Sequence, residues 1–332
     1  MQIVAQLPNE EKGDQRLDGR SSVLVASSGN WLLGTPLPVT SAQRNVFALL
    51  LFLVTCIVFC KPLQALWDFA LQEESFSHVM LIPVVTGYLL IANRVAILRS
   101  KEWSPVLGIM LILLGGLAYW FGGWQSGLQD WTLDRLAATI AALVLTWWGI
   151  FLVSFGWTCF RQNLFVFAFL LLMVPLPSLV LSAVVGFLQR NSAEAAAALF
   201  AVLDVPVFRE GLIFHLSQLT IHVAEECSGI RSFLSLLITS LLAGHWFLRG
   251  GWAKAALVAF VVPLAIIKNA FRIVGLALLA NYIDQTYITN SLLHRAGGIP
   301  LFVLSLFVLV GVVWALRKFE RQVGTSTGVV KI

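Results

Sequence analysis

Leu136-Ala-Ala-Thr-Ile-Ala-Ala-Leu-Val-Leu-Thr-Trp-Trp-Gly-Ile-Phe-Leu-Val-Ser-Phe155 contains no charged residue. About 20 consecutive apolar residues are what a helix needs to cross the hydrocarbon of a bilayer, so this stretch predicts a membrane span. Seven further stretches read the same way. They are Asn45 to Lys61, His78 to Asn93, Pro105 to Gly122, Asn163 through Pro175–Leu176–Pro177 towards Val185, Ile230 to Phe247, Ala255 to Ala280 and Ile299 to Leu316. The expected fold class is therefore an all-α polytopic membrane protein of about eight transmembrane helices. The two prolines must kink or interrupt the fifth span, because proline lacks the N–H that continues a helix.

Composition agrees. Of 332 residues, 58% are hydrophobic and 12% charged, whereas soluble domains carry about 25% charged residues. The net charge of +5 is not gathered into a basic face or run, so it excludes nucleic acid as a partner and points to topology. With the N-terminus cytoplasmic, Arg44, Arg94, Arg99, Lys101, Arg161, Arg249, Lys254, Arg317, Lys318, Arg321 and Lys331 fall inside. The opposite side collects Asp68, Glu73, Glu74, Asp130, Asp134, Glu194, Asp204, Glu210, Glu225, Glu226 and Asp284. This satisfies the positive-inside rule with both termini cytoplasmic and requires an even number of spans. No cleavable signal peptide is expected. Residues 1–44 read as a disordered cytoplasmic tail, 45–316 as one membrane-embedded domain in contact with the lipids of its membrane, and 317–332 as a second cytoplasmic tail.

Between Gln189 and Glu226 the chain turns polar. Asn191–Ser192–Ala193–Glu194 has the form of a capping box opening an Ala-rich amphipathic helix to Leu203. The alternation from Val205 to Val223, centred on Glu210–Gly211, predicts a short hairpin. Both belong to the outer face just before the sixth span.

The polar residues that could do chemistry lie on that same side. Cys56, Cys60, Cys159 and Cys227 form no metal-ligand pattern, and no cofactor is expected. Cys56 and Cys60 read as small apolar residues sharing a helix face, and Cys159 as another packed cysteine with nothing polar nearby except Arg161. Cys227, within Glu225–Glu226–Cys227–Ser228–Gly229–Ile230–Arg231, differs. It falls at or just before a helix N-terminus, where free N–H groups favour a thiolate, and Arg231 acts in the same direction while Glu225 and Glu226 oppose it. Lys268–Asn269–Ala270–Phe271–Arg272 places two cations on one face inside an apolar stretch, a pattern that marks function unless the side chains snorkel to an interface. His294 precedes the last span. A thiolate, a histidine to shuttle protons and an arginine to steady an oxyanion suffice for acyl transfer, with Asn269 or Asp284 available to orient the histidine.

These pieces, together with Ser77–His78, Met173–Val174–Pro175–Leu176–Pro177, Val205–Pro206–Val207 and Arg209–Glu210–Gly211, resemble the exosortase/archaeosortase family of membrane transpeptidases from about Phe76 to Gly298. Val79 stands where the family often has Gly, and the chain is expected to lack the C-terminal soluble extension of some exosortases. The resemblance implies catalytic Cys227, Arg272 and His294, supported by Asn269, Arg231, Ser228 and Glu226. It also implies a substrate class: exported proteins with a short C-terminal sorting signal, a hydrophobic helix and a basic end. In bacteria these are PEP-CTERM proteins, often encoded with exopolysaccharide genes. Two other readings compete. One is a transporter or polysaccharide-export component with Lys268 and Arg272 lining an anion path, and the other is a non-catalytic assembly factor.

Overall fold

The computed structural model describes residues 35–36, 41–100, 102–124, 131–224, 228–282 and 298–327. They form a predominantly helical polytopic membrane protein with two small antiparallel sheets. The helices are α1 (Ser41–Val58), α2 (Cys60–Gln72), α3 (Leu81–Ala92), α4 (Arg94–Arg99), α5 (Pro105–Tyr119), α6 (Leu133–Gln162), α7 (Leu164–Leu170), α8 (Ser178–Val202), α9 (Ile230–Phe247), α10 (Gly251–Tyr282) and α11 (Gly298–Thr327). Five helical stretches are long and apolar enough to cross a bilayer, and seven if each of two bent pairs counts once; Phe76–Ala92 is a shorter apolar helix.

Helix α6 is the axis. Leu136, Ile140, Leu143 and Val144 are fully buried against α2, α7 and the 3-10 turn Glu74–Met80. Helix α5 packs on α6 through glycines. A Cβ on Gly149 would stand 2.6 Å from the Gly108 carbonyl oxygen, and one on Gly115 2.7 Å from that of Ala142. Such close backbone approach supplies the dispersion contacts that lipid, as apolar as leucine, cannot drive by burial. At Gly156 (φ 79°) α6 opens. The backbone groups around this break find partners in the α4–α5 connection: Ser100 Oγ donates to Phe155 O, Ser104 Oγ accepts from Trp157 N, and Ser104 N donates to Leu152 O. In a bilayer every freed backbone group needs such a partner.

Several expectations are corrected. The first span bends by 66° at Phe59, so Cys56 and Cys60 lie in different helices, Cys56 half-buried and Cys60 exposed. Cys159 is buried beside Asn163, whose Nδ2 lies 3.9 Å from its Sγ. The N-terminal tail ends earlier than expected: Ser41–Arg44 belong to α1, and β1 (Thr35–Pro36) pairs with β2 (Glu102–Trp103). The last helix continues to Thr327, because Glu320 accepts from the N–H groups of Arg249 and Gly250 and Phe319 packs edge-on against Trp252.

The fifth apolar stretch breaks at Pro175 and Pro177 by 89°, and α8 then runs unbroken from Ser178 to Val202. Asn191–Glu194 therefore lies inside this helix rather than opening a new one. Asn191 donates back to Phe187 O, and Ser192 is fully buried, so neither residue caps. The first N–H of α8 is instead taken by a distant carboxylate. Asp134 accepts from Ser178 N and Ser178 Oγ, both at 2.6 Å.

Beyond α8 the expected hairpin is present and gains a third strand. Strands β3 (Phe208–Glu210), β4 (Ile213–His215) and β5 (Thr220–His222) form an antiparallel meander, with Gly211 (φ 60°) at the first turn. Phe214, Leu216 and Val223 pack with Phe200 of α8 and with Ala270, Val274 and Ala277 of α10. Asn281 accepts from Gln218 N at 3.2 Å, and Gln189 donates to Val223 O. These bonds fix the chain on its way towards α9.

Candidate functional site

Three helices bring their polar residues to one end. Gly229 caps α9 in the left-handed conformation (φ 78°), and a Cβ there would stand 3.1 Å from the Asn269 side chain of α10. Glycine thus meets two demands at once, a positive φ and a close neighbour. Asn269 is 1% exposed, and Lys268, one residue earlier, is 6% exposed. The Lys268 amine does not snorkel; it turns inward and donates to Ser232 Oγ, whose own hydroxyl donates to Gly229 O at 2.9 Å. Ser228 is buried, and its hydroxyl accepts from Ile230 N at 3.4 Å.

These groups open onto a cavity of about 810 Å³. Gly229, Ile230, Arg231, Ser232 and Ser235 form one wall, Lys268 and Arg272 a second, and Gly298, Ile299 and Phe302 of α11 a third. The start of α8 contributes Ser178, Leu181, Ser182 and Val185, and the end of α2 contributes Gln72 and Glu73. Among the described residues the charged lining is three cations and one carboxylate, Glu73. The volume falls within the range of ligand sites, and its mix of apolar and cationic walls suits a partly apolar, anionic or oxyanion-bearing guest.

The remaining candidates sort plainly. Arg272, Arg231 and Asn269 come together with Ser228 around the first turn of α9. Cys227, Glu226 and His294 lie outside the described residues, as does Asp284. The cavity nonetheless touches the described chain beside both missing motifs, since Gly229 follows Cys227 by two residues and Gly298 follows His294 by four. Reading the sequence left three contributors unrecognised: Ser232, the start of α8 and the α2 corner at Glu73. The signal for Ser232 was there, as a hydroxyl among apolar neighbours in a span. The prolines announce the break before α8 but not which groups it turns towards the cavity, and the 66° bend that directs α2 has no local signal.

The other end of α9 makes a different set of contacts. His245, near the end of α9, stacks on Phe165 with ring centroids 3.9 Å apart. Asn93 Nδ2 donates to Asn163 Oδ1 at 2.9 Å, and Arg44 donates to the carbonyls of Leu98 and Ser100. The ends of α3, α6 and α9 thus meet far from the α9 N-terminus.

The family model for transmembrane exosortases matches residues 67–311, a span that includes every wall of the cavity. No curated protein and no solved structure matches the chain. With about three quarters of its length under that match, the chain belongs to the transmembrane exosortase family.

Proposed function

We propose that this protein is a cysteine transpeptidase that cleaves exported proteins at a C-terminal sorting signal, with Cys227 as nucleophile, Arg272 as oxyanion partner and His294 as proton carrier. The observation that carries the reading is the cavity. Arg272 lines it, and its walls include Gly229, two residues after the thiol, and Gly298, four residues after the histidine. Extended chain reaches at most about 3.5 Å per residue, so the two residues from Gly229 to Cys227 span no more than about 7 Å of chain.

In the proposed reaction the Cys227 thiolate attacks the scissile carbonyl. A C–S bond forms, and the carbonyl oxygen takes the electron pair beside the Arg272 guanidinium. Collapse expels the amine, protonated by the His294 imidazolium, and leaves a thioester. An acceptor nucleophile then attacks the acyl carbon, gives its proton to the imidazole and returns the thiolate. Asn269, packed on the cap of α9, holds the arginine-bearing turn of α10 against the nucleophile's helix; Arg231, Ser228 and Glu226 complete the surroundings.

The same reading places the protein in a bacterial inner membrane, with eight crossings, both termini cytoplasmic and the cavity and meander on the periplasmic face. Substrates would be PEP-CTERM-type proteins presented by their own hydrophobic helix, in cells where such sorting accompanies exopolysaccharide export. The test is a co-expressed reporter ending in Pro–Glu–Pro, an apolar run and a basic tail. Wild type is expected to process it, and Cys227→Ala to leave it full-length while the protein still inserts and folds. Processing by Cys227→Ala would exclude the thiol mechanism. For sidedness, a membrane-impermeant maleimide should label a cysteine at Glu210 from outside but not one at Arg249.

A further inference from the structure

Lys268 is out of place for a structural residue. The residue is 6% exposed, deep in an apolar helix, and the hydrogen-bond partner of its amine is the neutral hydroxyl of Ser232. Among the described residues no carboxylate lies within 4.0 Å of it. Removing an ammonium from water is costly unless an anion and further hydrogen bonds replace the lost hydration. One hydroxyl does not. Groups that destabilise the free protein persist where function needs them, and this one lines the cavity together with Arg272 one turn on.

We infer that Lys268 and Ser232 form an anion-binding subsite that takes a carboxylate side chain of the substrate peptide close to the scissile bond. The inference rests on the transpeptidase reading above and adds the group that selects the peptide. Two observations favour a peptide carboxylate over a lipid phosphate. Ser232 lies five residues beyond Cys227 on the helix that follows it, within reach of a side chain one or two positions from the bond being cut. Helix α9 and helix α10 enclose the amine on the inner side of the bundle. In this arrangement the two cations divide the work: Lys268 reads the ground state and Arg272 the transition state.

The experiment uses the full chain purified in phospholipid-free detergent and two reporters that differ in one atom group, with Pro–Glu–Pro or Pro–Gln–Pro in the signal. Wild type is expected to favour the Glu reporter in kcat/KM by about 30-fold or more, the scale of losing one partner of a buried charge pair. Lys268→Gln should abolish that preference by losing the Glu reporter alone. Lys268→Met should melt at or above the wild-type temperature, since an apolar side chain replaces an uncompensated buried charge. An unchanged preference in Lys268→Gln would overturn the subsite, as would equal loss of both reporters or a collapse of Lys268→Met. It would also be overturned if Glu225→Gln or Glu226→Gln reproduced the loss, because the anion would then be the chain's own. Failure of wild type to cut either reporter, or cutting by Cys227→Ala, would instead remove the underlying transpeptidase reading.

Discussion

Gly229 shows how much a single backbone position decides here. Its positive φ lets the chain turn directly into α9, and its missing side chain lets Asn269 close to 3.1 Å of where a Cβ would be. Replacing it with alanine forces a left-handed conformation on a residue with a Cβ, which costs about 1–2 kcal/mol, and pushes α10 away at the level of Lys268 and Arg272. Gly229→Ala is therefore expected to lower the melting temperature in detergent and to reduce reporter processing by more than the lost stability accounts for. Normal processing at a normal melting temperature would show that the α9 cap does not set the site. Of this residue-level picture, the sequence announced the charged positions but not their directions. Whether Lys268 snorkelled or turned inward depended on Ser232, 36 residues away, and no local pattern encodes that choice.

At the scale of elements, the α5–α6 seam makes a sharp contrast between neighbouring glycines. Gly149 faces the Gly108 carbonyl, whereas a Cβ on Gly116 would meet nothing within 4 Å. Gly149→Val is expected to destabilise by about 1–3 kcal/mol through overpacking, while Gly116→Ala should be neutral or stabilising by up to about 1 kcal/mol from helix propensity. Thermal unfolding of the two variants in one detergent checks the contrast. Element identity was largely legible. Uncharged runs marked the long helices, Pro175 and Pro177 marked the break, and Glu210–Gly211 marked the first turn of the meander. The start of α8 was not, because Asn191 and Ser192 carry the chemistry of a cap yet sit in an Ala-rich stretch with no breaker before it. Asp134, 44 residues from Ser178, supplies the cap instead.

For the whole molecule, the bias of the loop charges gives an expected orientation from the sequence alone, with both termini cytoplasmic. What it could not convey is depth. Helix α10 has 32 residues, about 48 Å at 1.5 Å per residue, longer than the roughly 30 Å of hydrocarbon it would cross. Its final turns, bearing Asn281, therefore stand clear of the cavity and carry the meander. From Gly251 to Arg272 the helix rises about 32 Å, close to one hydrocarbon thickness. If the protein cleaves sorting signals as proposed, it is a ruler as well as a catalyst. A substrate helix whose basic end is held at the far surface delivers its scissile bond to the cavity when its apolar run matches that rise. Removing five residues from the reporter's apolar run should leave the bond about 7 Å short and slow its cleavage at unchanged signal sequence, whereas equal cleavage of both lengths would show that the gauge is elsewhere. Recognition of the signal would then be a matter of length measured across the bilayer as much as of residues read at its surface.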